Sequence, residues 1–102
     1  MTSELTFRWG RSDSEPTVDQ MREALSELDA HDPEHGDAFL QHESGWCLSA
    51  YESGLLAWEN VESGPPRHMS DVPRAVALRL WIALSRGDFA TIEKEAWLPG
   101  YG

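Results

Sequence analysis

The chain contains one cysteine, Cys47, among its 102 residues. An internal disulfide framework and a multi-cysteine zinc site are therefore excluded. Long apolar runs are missing as well. The longest, Leu80-Trp81-Ile82-Ala83-Leu84, falls far short of the about 20 residues that a membrane-spanning helix needs. The N-terminus, Met1-Thr2-Ser3-Glu4-Leu5, has neither the basic region nor the apolar region of a secretory signal, so a cytoplasmic location is expected. Bases are scarce: 8 Lys+Arg stand against 18 Asp+Glu, a formal net charge of −10. Nucleic-acid binding needs Lys and Arg to displace counterions from phosphates, and an anionic membrane surface needs them too. Neither partner is expected. There is no Gly-rich phosphate loop, no Walker or Rossmann signature and no Ser-His-Asp pattern, so no catalytic residue and no cofactor is assigned.

What is present suffices for a core. Hydrophobic residues make up 40% of the chain and aromatics 10%, which suits one domain over residues 1–102. The charge is unevenly spread. Residues 12–66 hold thirteen acids and one base, Arg22, a local charge of −12. Residues 67–94 hold Arg67, Arg74, Arg79, Arg86 and Lys94 against Asp71, Asp88 and Glu93, a local +2.

Leu5, Phe7 and Trp9 alternate with Glu4, Thr6 and Arg8, the pattern of a half-buried strand, and a polar turn follows over 10–16. Thr17-x-x-Gln20 reads as a capping box ahead of a helix that places Val18, Met21, Leu25 and Leu28 on one face. A charged loop over 31–37 leads to a short strand at Ala38–Gln41, then to runs at Trp46–Glu52 and Leu55–Val61. Ser53-Gly54 suits a two-residue hairpin turn. That register puts Trp46, Leu48, Ala50, Leu55, Ala57 and Val61 on the core face, and Cys47, Ser49, Tyr51, Leu56, Trp58 and Asn60 on the other. After a loop over 62–67, Ser70 or Asp71 can cap a largely apolar helix with Pro73 in its first turn, ended by Gly87. Asp88 can cap a last short helix. The expected fold is α+β in the order β-α-β-β-β-α-α, a small, mainly antiparallel sheet with helices packed on one face.

The densest cluster of possible metal ligands is His31, Asp32, Glu34, His35 and Asp37, with His42 and Glu43 beyond it. His31 and His35 have helical ligand spacing, but Pro33 and Gly36 oppose a helix there, and no metal ligand is assigned. A metal- or small-ligand-binding enzyme using His31, His35 and His42 is the alternative reading. Cys47 could be drawn with His42 or His68 as a nucleophile and base, yet its strand setting suits a small buried hydrophobe. Glu59 is the leading candidate for an inward carboxylate, where Arg79 would pair with it. Most of the five tryptophans belong to a core. Trp58 and Tyr51, placed on the face away from the helices and beside carboxylates, have the make-up of a protein-binding patch.

Trp46, Gly54-Leu55, Trp58-Glu59-Asn60, Arg67-His68-Met69, Leu80-Trp81, Gly87-Asp88, Ile92-Glu93 and Trp97 together resemble small α+β immunity proteins of bacterial polymorphic toxin systems, over about residues 4–99. The resemblance implies a non-enzymatic cytoplasmic protein that neutralises a cognate toxin, and it carries no site residues with it. The acidic segment suits a basic toxin domain, which it would steer to itself at low salt. The expected partner-binding residues are Tyr51, Trp58, Glu52, Glu59, Glu43 and Asp37.

Overall fold

A computed structural model describes residues 2–60, 62 and 64–101. The expected place of Val61 on the core face lies outside them. Helix α1 (Val18–Glu27) starts as its sequence dictates. The Gln20 backbone N–H donates to Thr17 Oγ1 at 3.1 Å, and the Gln20 side chain accepts from the Thr17 N–H at 2.8 Å. Met21, Ala24, Leu25 and the following Leu28 are buried, while Asp19 and Glu23 face water.

The strands are β1 (Ser3–Thr6), β2 (Ser12–Ser14), β3 (Asp37–His42), β4 (Cys47–Tyr51), β5 (Leu56–Glu59), β6 (Arg67–Met69) and β7 (Leu98–Pro99). They form one antiparallel sheet in the order β2-β1-β3-β4-β5-β6-β7. The α+β class and the helix-covered face are as expected. Three strands are additional: β2 lies within the expected turn, while β6 and β7 are segments too short to show a period.

Two strand placements are corrected. β1 stops at Thr6, because the Gly10 N–H donates to Phe7 O and the Phe7 N–H to Arg11 O, closing a turn. Beyond that point strand alternation no longer applies. Phe7 and Arg8 are buried, and Trp9 is 52% exposed.

The second correction concerns the β4–β5 hairpin. Its turn holds three residues, Glu52, Ser53 and Gly54: the Tyr51 N–H donates to Leu55 O at 2.9 Å and the Gly54 N–H to Tyr51 O at 3.0 Å. Gly54 takes φ +92°, the left-handed region that closes such turns. Leu48 consequently opposes Trp58, Ala50 opposes Leu56 and Cys47 opposes Glu59. Relative to a two-residue turn, this is a slip of one residue, which exchanges the faces of β5. Leu56 and Trp58 point into the core; Leu55 and Ala57 point out of it. The β4 residues Leu48 and Ala50 stay inside, as expected.

Helix α2 (Arg74–Ser85) buries Ala77, Leu80, Trp81, Ala83 and Leu84. Its N-cap is Pro73, with no side-chain cap, so neither Ser70 nor Asp71 fills that role. The Trp81 indole N–H donates to Leu48 O at 2.8 Å, tying the helix to the middle of the sheet. Helix α3 (Phe89–Glu93) is capped by Asp88, which accepts from the Thr91 N–H at 3.3 Å. Beneath it, Trp58 stacks on Trp46 with ring centroids 4.3 Å apart and lies 6.3 Å from Trp97. Glu93 accepts the Trp58 indole N–H at 3.0 Å and both Nη groups of Arg67 at 2.7 Å. No helix among the described residues is long and apolar enough to cross a membrane.

Candidate protein-binding face

Side chains alternate across a strand, so the pairing register sorts the outward residues into rows. The middle row runs Ser12, Thr6, Phe39, Ser49, Ala57, His68 and Leu98. At one end of the face lie Asp37, Tyr51 and Leu55, and at the other Glu4, Gln41, Cys47 and Glu59. No helix of the described residues covers this side. The middle row has no Lys, Arg, Asp or Glu, and its centre is closely packed, with Ser49, Ala57 and His68 buried among their neighbours, while carboxylates stand at both ends.

The six expected partner-binding residues divide. Tyr51, Glu59 and Asp37 lie on the open face. Glu43 is exposed in the turn just past β3, where its Oε1 accepts the Thr2 N–H at 2.9 Å. Trp58 is not on the face: it is fully buried under α3 for the register reason given above, so a docking partner cannot touch it. Glu52 sits in the hairpin turn and faces inward to Arg8. Two further residues belong to the open face, Phe39 and Tyr101. The Tyr101 phenol donates to Glu59 Oε2, while the His68 ring bonds Gly100 O at 3.0 Å and the Gly100 N–H donates to Pro66 O at 2.9 Å. A Pro-Gly-Tyr-Gly end carries no period, so the sequence holds no signal for Tyr101. Phe39 was legible as a strand residue, but its face was not.

The electrostatics of the face follow from partial burial among acids. Burial, with Asp37, Glu59 and Cys47 nearby, pushes the Tyr51 phenol up, and burial raises the Asp37 carboxyl. Burial pushes the Cys47 thiol up to about 11, which keeps it neutral. Its sulfur lies 4.0 Å from Ser49 Oγ, and His42 points to the opposite face of the sheet. A nucleophile needs the thiolate, so this setting opposes a thiol mechanism. We expect Cys47 to alkylate with iodoacetamide much more slowly than free cysteine at pH 8, with the rate climbing toward pH 11. A rate equal to that of free cysteine at pH 8 contradicts this environment.

The histidines do not converge. His31 Nδ1 bonds Glu52 Oε2 at 2.9 Å and His35 Nδ1 lies 3.2 Å from Asp32 Oδ2. His42 is buried on the helix side, where Ser44 N–H donates to its Nδ1 at 3.1 Å and its ring meets Phe89 edge-on at 5.3 Å. No group of three or more His, Cys, Asp or Glu among the described residues is arranged to hold a metal ion.

What organises the 29–36 loop is Arg8, whose side chain is fully buried. Its Nε donates to His35 O (2.8 Å), Nη1 to Glu27 O (2.5 Å) and Ala30 O (2.6 Å), and Nη2 to Asp32 O (2.9 Å) and Glu52 Oε1 (2.9 Å). All five N–H groups of the guanidinium are thus used. Glu52 Oε1 also accepts the Asp32 backbone N–H at 2.6 Å. That bond first, then Arg8 and His31, hold the Glu52 carboxyl down at about 2.

Six acids on the helix side pair with arginines, while Glu27, whose Oε1 is buried without a hydrogen-bond partner among the described residues, does not. Asp13 and Glu23 pair with Arg11, Asp19 with Arg22, Asp29 with Arg74, Glu93 with Arg67 and Glu95 with Arg79. The expected Glu59–Arg79 pair does not form, because the register sends Glu59 to the open face. There, Glu4, Asp37 and Glu59 have no Lys or Arg partner among the described residues. Beside Glu59 opens a cleft of about 390 Å³, lined by Gln41, Glu43, Cys47, Glu59, Asn60 and Glu62 among others. Searches of protein families, of curated proteins and of solved structures each returned no match to this chain.

Proposed function

We propose that this chain is a non-enzymatic binding domain whose open sheet face engages a basic protein. The observation that carries the reading is the contrast between the two sides of the sheet: six acids on the helix side pair with arginines, whereas Glu4, Asp37 and Glu59 on the open face have no Lys or Arg partner among the described residues. Unmatched charge beside aromatic rings raises the on-rate of a basic partner and supplies anchors once it docks. Tyr51 and Phe39 are the anchors, and Asp37 and Glu59 form the acidic rim. The partner class is a basic toxin domain such as a nuclease or deaminase, held by a cytoplasmic immunity protein. That assignment of class rests on the pattern of tryptophans and turn glycines, and the acidic face is compatible with it.

Affinity capture from the source cells, with retained proteins identified by mass, tests the reading. The baits are the wild-type chain, the double variant Asp37→Lys/Glu59→Lys and the helix-side variant Asp19→Lys. A basic protein retained by wild type and by Asp19→Lys, and reduced at least about tenfold by the double variant, is the expected result, since like charges across an interface cost several kcal/mol. Equal loss with Asp19→Lys, capture of acidic proteins alone, or no retained protein overturns it.

A further inference from the structure

Reading the open face as a docking surface leaves the chemistry of its occupant to be named, and the Glu59 end of the face names it. The C-terminal segment returns across this end: β7 pairs with β6, and the Tyr101 phenol donates to Glu59 Oε2. Glu59 Oε1 has no hydrogen-bond partner among the described residues. Tyr101 is 56% exposed, and its phenol stands beside the same carboxylate. Gln41 brings a carboxamide to the adjoining cleft, where the buried Asn60 amide is held by Ser44 O and the Glu62 N–H, and neither the cleft nor the outward positions of the strands bear a Lys or Arg.

We propose that this end of the open face seats an arginine side chain of the basic partner, with its guanidinium on Glu59 and against the Tyr101 ring. Charge complementarity selects a cation. Three features then favour arginine over lysine. A planar guanidinium stacks on an aromatic ring while donating in its own plane to a carboxylate, which an ammonium cannot do with equal economy. It is more weakly hydrated, which suits a surface flanked by the Cys47 thiol and the closely packed Ala57. Its forked donors also match the dispersed acceptors of the Glu59 carboxylate and the exposed Gln41 carboxamide. Lysine, or a cation bound by net charge anywhere on the chain, is the competing outcome of the test.

The proposal rests on the reading of the open face given above, and its test is independent of finding the partner. The full chain, labelled with ¹⁵N, is titrated with N-acetyl-arginine amide and separately with N-acetyl-lysine amide. Backbone amide shifts at Cys47, Glu59, Asn60 and Tyr101 are expected to saturate about threefold or more tighter with the arginine compound, from the stacking contribution. Glu59→Gln is expected to weaken arginine binding about fivefold or more, and Tyr101→Phe, which keeps the ring, to weaken it less than Tyr101→Ala. The spectrum of each variant reports directly that it is folded. Equal response to the two compounds, shifts scattered over the helix side, or indifference to Glu59→Gln overturns the arginine seat. If capture depends on the face while this titration fails, the seat alone falls. If the titration succeeds while capture ignores the face, the docking reading falls and a bare cation subsite remains.

Discussion

Replacing Arg8 with alanine is expected to lower stability by about 3–5 kcal/mol, the range found when one partner of a buried charge pair is removed. The deletion strands carbonyls of Glu27, Ala30, Asp32 and His35 at the end of α1 and in the following loop, and removes the base facing Glu52. For a domain of this size, the loss corresponds to a fall in Tm on the order of 15–25 °C. Arg8→Lys keeps the charge but supplies only three donors from a single nitrogen, so it is expected to recover a minor part of the loss. Acid titration gives a second signature. Glu52 titrates at about 2 in the fold, below its ordinary value of 4.5. Its contribution is therefore complete above about pH 4.5 and disappears as pH falls toward 2. Removing Arg8 takes away one of the groups that hold the carboxyl down, so the acid-unfolding midpoint of the variant is expected at higher pH. Melts by circular dichroism between pH 2 and 7 check both effects. An Arg8→Ala protein within about 1 kcal/mol of wild type would show that the loop is ordered by other means.

Trp58→Ala is expected to cost about 3–5 kcal/mol, as large-to-small changes of buried tryptophan do. Three losses coincide: the stack on Trp46, the contact toward Trp97, and the indole donor to Glu93. Trp58→Phe retains a ring and removes the donor, and a smaller loss is expected. The contrast with Tyr51→Ala is informative, because Tyr51 lies half-buried on the open face. Both variants would score as binding-defective in a capture experiment, yet only the Trp58 variant should show a large drop in the urea midpoint. Urea unfolding at fixed protein concentration separates them. A Trp58→Ala midpoint matching that of wild type contradicts its burial under α3.

The Trp58 and Arg8 cases also show how far local pattern carries. The capping box at Thr17, the stripe of α1, the apolar α2 and the Asp88 cap were readable because each depends on residues within a turn or two of one another. The face of Trp58 depends instead on whether Gly54 ends a two-residue or a three-residue turn, and a left-handed glycine serves either. One residue of ambiguity moved Trp58 inside and Ala57 out, and transferred Glu59 from a presumed partnership with Arg79 to the open face. Arg8 was illegible for another reason. Its acceptors are backbone carbonyls 19–27 residues away and a carboxylate 44 away. Composition has no way to mark a carbonyl as spoken for. Of the proposed binding face, Asp37 and Tyr51 could be read from sequence, whereas Glu59 needed the register and Tyr101 reached it through a tail with no pattern.

The two margins of the sheet bear on how the protein behaves in a crowded cell. β2 has three residues, two of them serine and one aspartate, and β7 has only two, the second being Pro99, which has no amide hydrogen to offer. Short margins with a proline or a charge give a passing chain little backbone to zip onto. Uncontrolled strand-by-strand growth into fibrils is thereby discouraged, although no helix of the described residues covers one broad side of the sheet. A partner docking on the face proposed above would meet the sheet broadside, through side chains and not through the peptide backbone.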